Sequence, residues 1–343
     1  MALDTGHFPL AGTPVLDSVG GARFGGALAR RVEYNGLWYT QISADPTDTG
    51  QSGIGLALTP YGNRGLSWNV PDGTIAGGNA RGNNSIDLSP VRTLAADVAS
   101  GDKAIVIGSY GKSTGTASVV LGSGGRALAS ADGAVAIGGA FNQIPTASAE
   151  NAFAFGGRAN ATARGATAFG TDGVTQFTVN TTASGIMSIA TGSGVLADKY
   201  GQSARAAGVS FVAQWSTMEL SVATADATVT EMFLHGVASN RMTLVASTTW
   251  MADLSVVARS ASGTDNACFK RRCIIKRDAA NNTALVSTVQ TLDTDIASAG
   301  AAAWAVTVTA DDTNEALKIE VTGAAATNIR WVAKVDLVEV GYA

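Results

Sequence analysis

AIVIGSYGKSTGTASVVLGSGGRALASADGAVAIGGAFNQIPTASAENAFAFGGRANATARGATAFG, residues 104–170, states one short pattern five times: a small residue, a β-branched or bulky one, a small or β-branched one, a bulky one, then glycine. AIVIG ends at Gly108, SVVLG at Gly122, AVAIG at Gly138, AFAFG at Gly156 and ATAFG at Gly170, so the glycines step by 14, 16, 18 and 14 residues. That period is too regular for ordinary loops and strands and too short for a helical repeat. It predicts a β-solenoid.

Each repeat holds two registers, because side chains two apart on a strand share a face. Ile107, Leu121, Ile137, Phe155 and Phe169 precede the glycines, with Ile105, Val119, Val135, Phe153 and Thr167 two positions earlier. This bulky register is the expected core of the roll and of the trimer argued below. The other register, Val106, Val120, Ala136, Ala154 and Ala168, is small enough to let a neighbouring backbone approach. A strand apolar in both registers reads as buried on both sides, and so short a coil cannot do that alone. Identical rolls that pack their small-residue faces around a common axis would satisfy both registers.

The repeats resemble the YadA-type head of trimeric autotransporter adhesins, whose repeats end in AIG or ALG. GGNARGNNSIDLSPVRTLAADVASGDKAIVIG, residues 77–108, is similar to the lead-in to such repeats in bacteriophage tail-fibre proteins. The resemblance covers roughly residues 78–175 and implies a homotrimer of left-handed β-rolls. The chain departs from that pattern in its longer repeats, which imply looped-out turns at Phe141 to Ser148.

Forty-one glycines in 343 residues exceed the average share of ~7 %, while only seven prolines and no triplet period exclude collagen. Charged residues make up 15 % and the net charge is −4, which argues against a disordered tail and against general nucleic-acid binding. No basic and apolar leader follows Met1, and the longest uncharged run, Gly173 to Ala197, is too rich in Thr, Ser, Asn and Gly for a membrane helix. The expectation is a virion component assembled in a host bacterial cytoplasm, without membrane insertion. Cys268 and Cys273, five apart, would face opposite sides of one strand and are expected as two buried free thiols, with an interchain bridge as the alternative.

Four segments follow from the patterning. Residues 1–77 carry aromatic clusters (Tyr34, Trp38, Tyr39; Tyr61, Trp68) and a strand pair turning at Asn35-Gly36, and form the expected virion-attachment segment. Residues 78–175 are the β-roll shaft, and residues 176–209 a neck or linker. Residues 210–343 alternate cleanly, as in Met218, Leu220, Val222 against Glu219, Ser221, and again in Leu317, Ile319, Val321 against Lys318, Glu320. Several such strands divided by polar turns read as an antiparallel β-sandwich of jelly-roll-like build. The fold class is therefore all-β throughout.

Chemistry-bearing patterns are few. The two histidines, His7 and His235, have no nucleophile or ligand spacing beside them, and the glycine pairs Gly20-Gly21 and Gly25-Gly26 precede no phosphate-loop lysine. Asp311, Asp312 and Glu315 lack the spacing of a calcium loop and read as turn residues. The expectation is no cofactor, no metal and no enzyme. Lys270, Arg271, Arg272, Lys276 and Arg277 place five cations within eight residues, with Lys270, Arg272 and Lys276 on one strand face. They read as a solvated edge strand or as a patch for anionic surface glycan. Trp250, Trp304 and Trp331 share faces with aliphatics and are expected in the core, whereas Trp215 is expected exposed or at a subunit contact.

The candidate receptor-binding residues are thus Lys270, Arg272, Lys276 and Trp215. The expected protein is a homotrimeric phage tail fibre: an N-terminal segment docks on a tail or baseplate protein, and the C-terminal tip binds a bacterial surface polysaccharide or protein. A capsid-attached head fibre and a glycan-degrading tailspike are the alternatives.

Overall fold

The computed structural model describes residues 66–69, 71–122, 127–139, 144–170, 180–207 and 213–342, together with the backbone of four strands between residues 15 and 44. Those four, Val15–Leu16, Ala22–Phe24, Ala27–Tyr34 and Leu37–Ala44, pair antiparallel in chain order. Tyr34 stands opposite Leu37, leaving Asn35 and Gly36 between the strands. His7, the two glycine pairs, Tyr61, residues 141–143 and the side chains of Tyr34, Trp38 and Tyr39 lie outside the described residues. Thr146–Ala147, within the stretch expected to loop out at Phe141 to Ser148, is instead a paired strand.

The repeats form a β-solenoid of about eight turns. Between Ile105 and Ala197 each coil gives one strand to each of two parallel sheets. The first sheet stacks Leu66–Ser67, Ile86–Leu88, Ile105–Gly108, Val119–Gly122, Val135–Ile137, Phe153–Phe155, Thr167–Gly170, Ile189–Ser193 and Ser203–Ala207. The second stacks Gly111–Ser113, Ala127–Ala129, Thr146–Ala147, Ala159–Ala161, Thr181–Ala183 and Leu196–Ala197. The ladder thus begins before residue 78 and runs to Ala207, through the stretch expected to be a neck.

The expected register is inverted. Val106, Val120, Ala136, Ala154 and Ala168 are fully buried between the two sheets, whereas Ile107, Phe155 and Phe169 are 44 %, 46 % and 40 % exposed on the outside. Leu121 and Ile137 share that outer face and are half-buried. The coil's own geometry is the reason. The inward residues of the second sheet are Gly111, Ser113, Ala127, Ala129, Ala147, Ala159, Ala161, Thr181, Ala183 and Ala197, so the gap between sheets holds only small side chains. The two valines fit because Gly111 lies across from them: a Cβ there would come within 2.7 Å of a methyl of each. Small side chains therefore fill the roll, and the bulky ones face away from it.

Turns repeat as faithfully as strands. The amides of Ala104, Ser118, Ala134, Ala152, Ala166 and Ser188 close turns onto the carbonyls of Gly101, Gly115, Ala131, Ala149, Ala163 and Gly185. Before each closing residue the backbone is left-handed, at Lys103, Ala117, Gly133, Asn151, Gly165 and Met187. For a residue with a side chain this costs roughly 1–2 kcal/mol. It is offset by amide bonds to the preceding coil, such as Ala117 to Asp102 at 2.8 Å and Lys103 to Asn83 at 2.7 Å. The repeat-closing Gly108 has φ of +104°, and a Cβ there would run into the carbonyl oxygen of Gly122. Glycine is required there both by conformation and by space.

Near the start of the ladder, Asp87 takes the inward position in register with Val106 and is fully buried. It is held by Arg81 at 2.6 Å and Arg92 at 3.3 Å. At the far end Ser203–Ala207 pairs antiparallel with Ala213–Thr224, so the first sheet passes unbroken into the C-terminal region. The Gln214 side chain reaches across to the last strand of the second sheet. Its Oε1 accepts from the Leu196 amide at 3.0 Å and its Nε2 donates to the Leu196 carbonyl at 2.9 Å.

Beyond this junction two antiparallel sheets share one apolar core. The larger runs Ala213–Thr224, Ile329–Gly341, Thr248–Ser260, Asn266–Arg277, with short strands along its last edge. The smaller centres on Ala316–Thr322, flanked by Ala305–Asp311 on one side and Thr230–Glu231 and Met242–Thr243 on the other. Met218, Leu220, Trp250, Leu254, Phe269 and Trp331 meet Trp304, Val306, Leu317, Ile319 and Val321 between them. Trp331 is fully buried, donates its indole N–H to Thr224 Oγ1 at 3.0 Å and packs 5.7 Å from Trp304, ring to ring. The alternation in the sequence placed these strands and their core faces correctly.

Candidate receptor-binding and assembly surfaces

The shaft presents two different outer faces. On the first sheet Ile105, Ile107, Val119, Leu121, Val135, Ile137, Phe153, Phe155 and Phe169 form a continuous apolar surface. Phe169 packs 6.1 Å from Phe155 and 6.2 Å from Phe153, ring to ring. On the second sheet the outward residues are Lys112, Leu128, Thr146, Asn160, Thr182 and Leu196, mostly polar. A cleft of about 380 Å³ crosses this polar face, lined by Lys112, Leu128, Ile144, Thr146, Arg158, Asn160 and Asn180.

The basic strand Asn266–Arg277 is the last long strand of the larger sheet, three strands beyond the one that joins the shaft. Its alternation is as expected, with Cys273 and Ile275 buried and Lys270 and Lys276 outward. Most of its charge is matched locally. Lys270 pairs with Asp293 at 2.9 Å, Arg271 with Asp295 at 2.6 Å and Arg272 with Asp253 at 2.5 Å. These carboxylates raise the pKa of all three cations, through the hydrogen bond first. Lys276 has no salt bridge among the described residues, and stands beside Thr249 in the cross-strand register. Trp215 is 53 % exposed, with the Arg205 guanidinium 5.9 Å from its ring centroid.

The remaining candidates are structural. Asp311 accepts from the Thr313 and Asn314 amides, Asp312 from the Thr283 amide at 2.5 Å, and Glu315 from the Thr283 hydroxyl, so each shapes or anchors a turn. Among the described residues no cluster of three potential metal ligands is present. Both cysteines are free, but only Cys273 is buried, which pushes its thiol up to about 11. Cys268, also expected buried, is half-exposed, because it falls on the outward register of the strand. His235 packs 4.9 Å from the Tyr200 ring, joining the last coil's turn to the sandwich.

One feature escaped the sequence reading. Where shaft meets sandwich, Glu339 lines a cleft with Gln214, Asp198 and Lys199. It accepts hydrogen bonds from the Ser216 hydroxyl and from Gln214 Nε2. Burial raises its pKa, more than these bonds lower it. Glu339 continues the inward register of Trp331, Ala333, Val335 and Leu337, opposite to that of the exposed Lys334 and Asp336, so the alternation itself places a carboxylate on the core side of this strand.

No protein-family profile matches the chain, and no curated protein matches it. Among solved structures it is similar to the tailspike protein of Acinetobacter baumannii phage AM24, at 9 % identity and a TM-score of 0.23. The likeness covers 77 % of this chain and 56 % of that one, so the chain spans little more than half the length of the tailspike. The expectation that the chain is no enzyme is corrected by this match. A tailspike is the class that expectation had set aside as the glycan-degrading alternative, and a likeness so slight establishes no activity either.

Proposed function

We propose that the chain is a fibre or spike protein of a bacteriophage virion, a homotrimer whose solenoid shaft holds a receptor-binding sandwich away from the particle. The observation that carries this reading is the asymmetry of the shaft: one outer face is continuously apolar and the other is polar along the same coils. An apolar sheet face of this extent needs a cover, and identical copies around an axis provide one. The resemblance of the repeats to YadA-type heads supports three copies. The N-terminal region would dock on a tail or baseplate protein.

The sandwich would meet the host cell. Lys270, Arg272 and Lys276 lie on the long strand farthest from the shaft, where Lys276 is the cation best placed to meet an anionic surface glycan. Lys270 and Arg272 would have to exchange Asp293 and Asp253 for the ligand.

Imaging virions with an antibody against residues 213–342 tests the reading. Label at the distal end of a tail-attached projection is the expected result. Label on the capsid would move the protein to a head fibre, and none on the particle would overturn the proposal. Arg272→Glu with Lys276→Glu should reduce adsorption to host cells, and unchanged adsorption by a still-trimeric protein would remove this strand from receptor binding. Incubation of the protein with host capsule polysaccharide, followed by a reducing-end assay, decides glycan degradation directly.

A further inference from the structure

The outer face of the shaft's first sheet continues onto the sandwich, where it becomes apolar again beyond Thr191 and Arg205. Residues in register on neighbouring strands point to the same face of a sheet, so a column can be followed strand by strand. From Ile107 it passes through Leu121, Ile137, Phe155 and Phe169. It crosses the shaft's last coils at Thr191 and Arg205. It then continues on the sandwich as Trp215, Val338, Met251 and Ile274. One unbroken hydrogen-bonded sheet therefore carries the bulky outward residues of the repeats into a row of large apolar residues on the sandwich.

Trp215 and Val338 are 53 % and 55 % exposed in a single chain, and Ile274 39 %. A tryptophan stacked on arginine at the head of an apolar row is the composition of an interface centre, where Trp and Arg are enriched. The flanking column is apolar in the shaft at Val135 and Phe153 but becomes Thr217, Asp336, Asp253 and Arg272 on the sandwich. Its charges are matched within the chain, Asp336 by Lys334 at 2.9 Å and Asp253 by Arg272 at 2.5 Å. Like surfaces with internally paired charges approach one another without the repulsion that a single-sign face would impose.

We infer that the subunit interface follows this column from the shaft onto the sandwich, with further copies of the same chain covering Trp215, Val338, Met251 and Ile274. This rests on the reading that copies meet at the shaft's apolar face. It moves Trp215 from receptor contact to subunit contact. It also places the basic strand at the distal edge of a seam between copies, so that a surface ligand would meet residues from more than one subunit.

Thiol protection tests it in the full-length protein. In a Cys268→Ser background, cysteine is introduced one position at a time by Phe155→Cys on the shaft, Val338→Cys on the sandwich column, and Thr307→Cys on the exposed outer side of the smaller sheet. All three replace outward side chains and leave the cores intact. The expected result is a trimeric mass with maleimide labelling at positions 155 and 338 at least about tenfold slower than at 307. Protection at 155 with free labelling at 338 overturns the inference and leaves the shaft trimer standing. A monomeric mass with free labelling at all three positions overturns the trimer, and the inference with it.

Discussion

The shaft and the sandwich are both all-β, yet their interiors are filled by opposite rules. Between the shaft's two sheets lie Ala104, Val106, Ala127, Ala136, Ala154 and Ala161; between those of the sandwich lie Trp331, Trp304, Phe269, Met218 and Leu254. A 14-residue coil closes its sheets so tightly that backbone pairing and turn geometry hold it, with methyl groups as filler. The sandwich spaces its sheets about 10 Å apart and draws its stability from large apolar side chains. The shaft should therefore resist enlargement inside, and the sandwich truncation.

The largest effects should come from the unlike anchors of the two interiors. Asp87→Ala would leave Arg81 and Arg92 buried without their carboxylate and should cost about 3–5 kcal/mol. Trp331→Ala should cost a similar ~3–5 kcal/mol by emptying the centre of the sandwich. Hydrogen exchange would locate each loss: amides of residues 79–122 should lose protection in the first variant, and those of 213–224 and 329–341 in the second. Exchange that rises everywhere in both would show the two regions to be one cooperative unit.

A smaller pair tests the register itself. Ala154→Leu adds bulk where the second sheet offers only Ala147, Ala159 and Ala161, and should cost about 1–3 kcal/mol. Phe155→Ser, one residue on, faces outward, so it should weaken association of copies far more than the fold of one chain. Thermal unfolding together with native mass separates these outcomes. Equal unfolding costs with unchanged mass would break the distinction between inner and outer faces.

The repeat, its glycines and the alternation of the sandwich strands were legible because each is written in local residue types. Inside versus outside was not. Alternation separates two faces, but which one points inward depends on how close the second sheet lies, and that sheet's strands, such as Gly111–Ser113 and Ala159–Ala161, carry no apolar signal of their own. The true length of the shaft was available in a pattern left unread: Ser184-Gly185-Ile186-Met187-Ser188 repeats the turn of Ser130-Ala131-Asp132-Gly133-Ala134, and marks a further coil beyond Gly170. Of the candidate receptor residues, the strand face of Lys270, Arg272 and Lys276 was readable. The partners of Lys270 and Arg272, Asp293 and Asp253, lie about twenty residues away and become neighbours only through the fold of the sheet.

The subtlest prediction lies where the two regions meet. Glu339 is held above its ordinary value of 4.5, chiefly by burial, while Asp198 nearby adds to the rise and Lys199 opposes it. The folded state therefore binds this proton more tightly than the unfolded one does. Stability from this group is fully present below 4.5 and is lost as pH rises through the folded value, the reverse of a salt-bridged carboxylate. Glu339→Gln keeps an acceptor for the Ser216 hydroxyl and removes the charge. It should leave stability at about pH 4 little changed and increase it near neutrality, flattening the pH dependence of the urea midpoint. Because Gln214 also ties the Leu196 edge to this cluster, slower hydrogen exchange at Leu196 and Gln214 should accompany the gain. A variant less stable than the parent at neutral pH would mean that the carboxylate is ionised and held by Lys199, and the junction would then be an ion pair rather than a buried neutral contact.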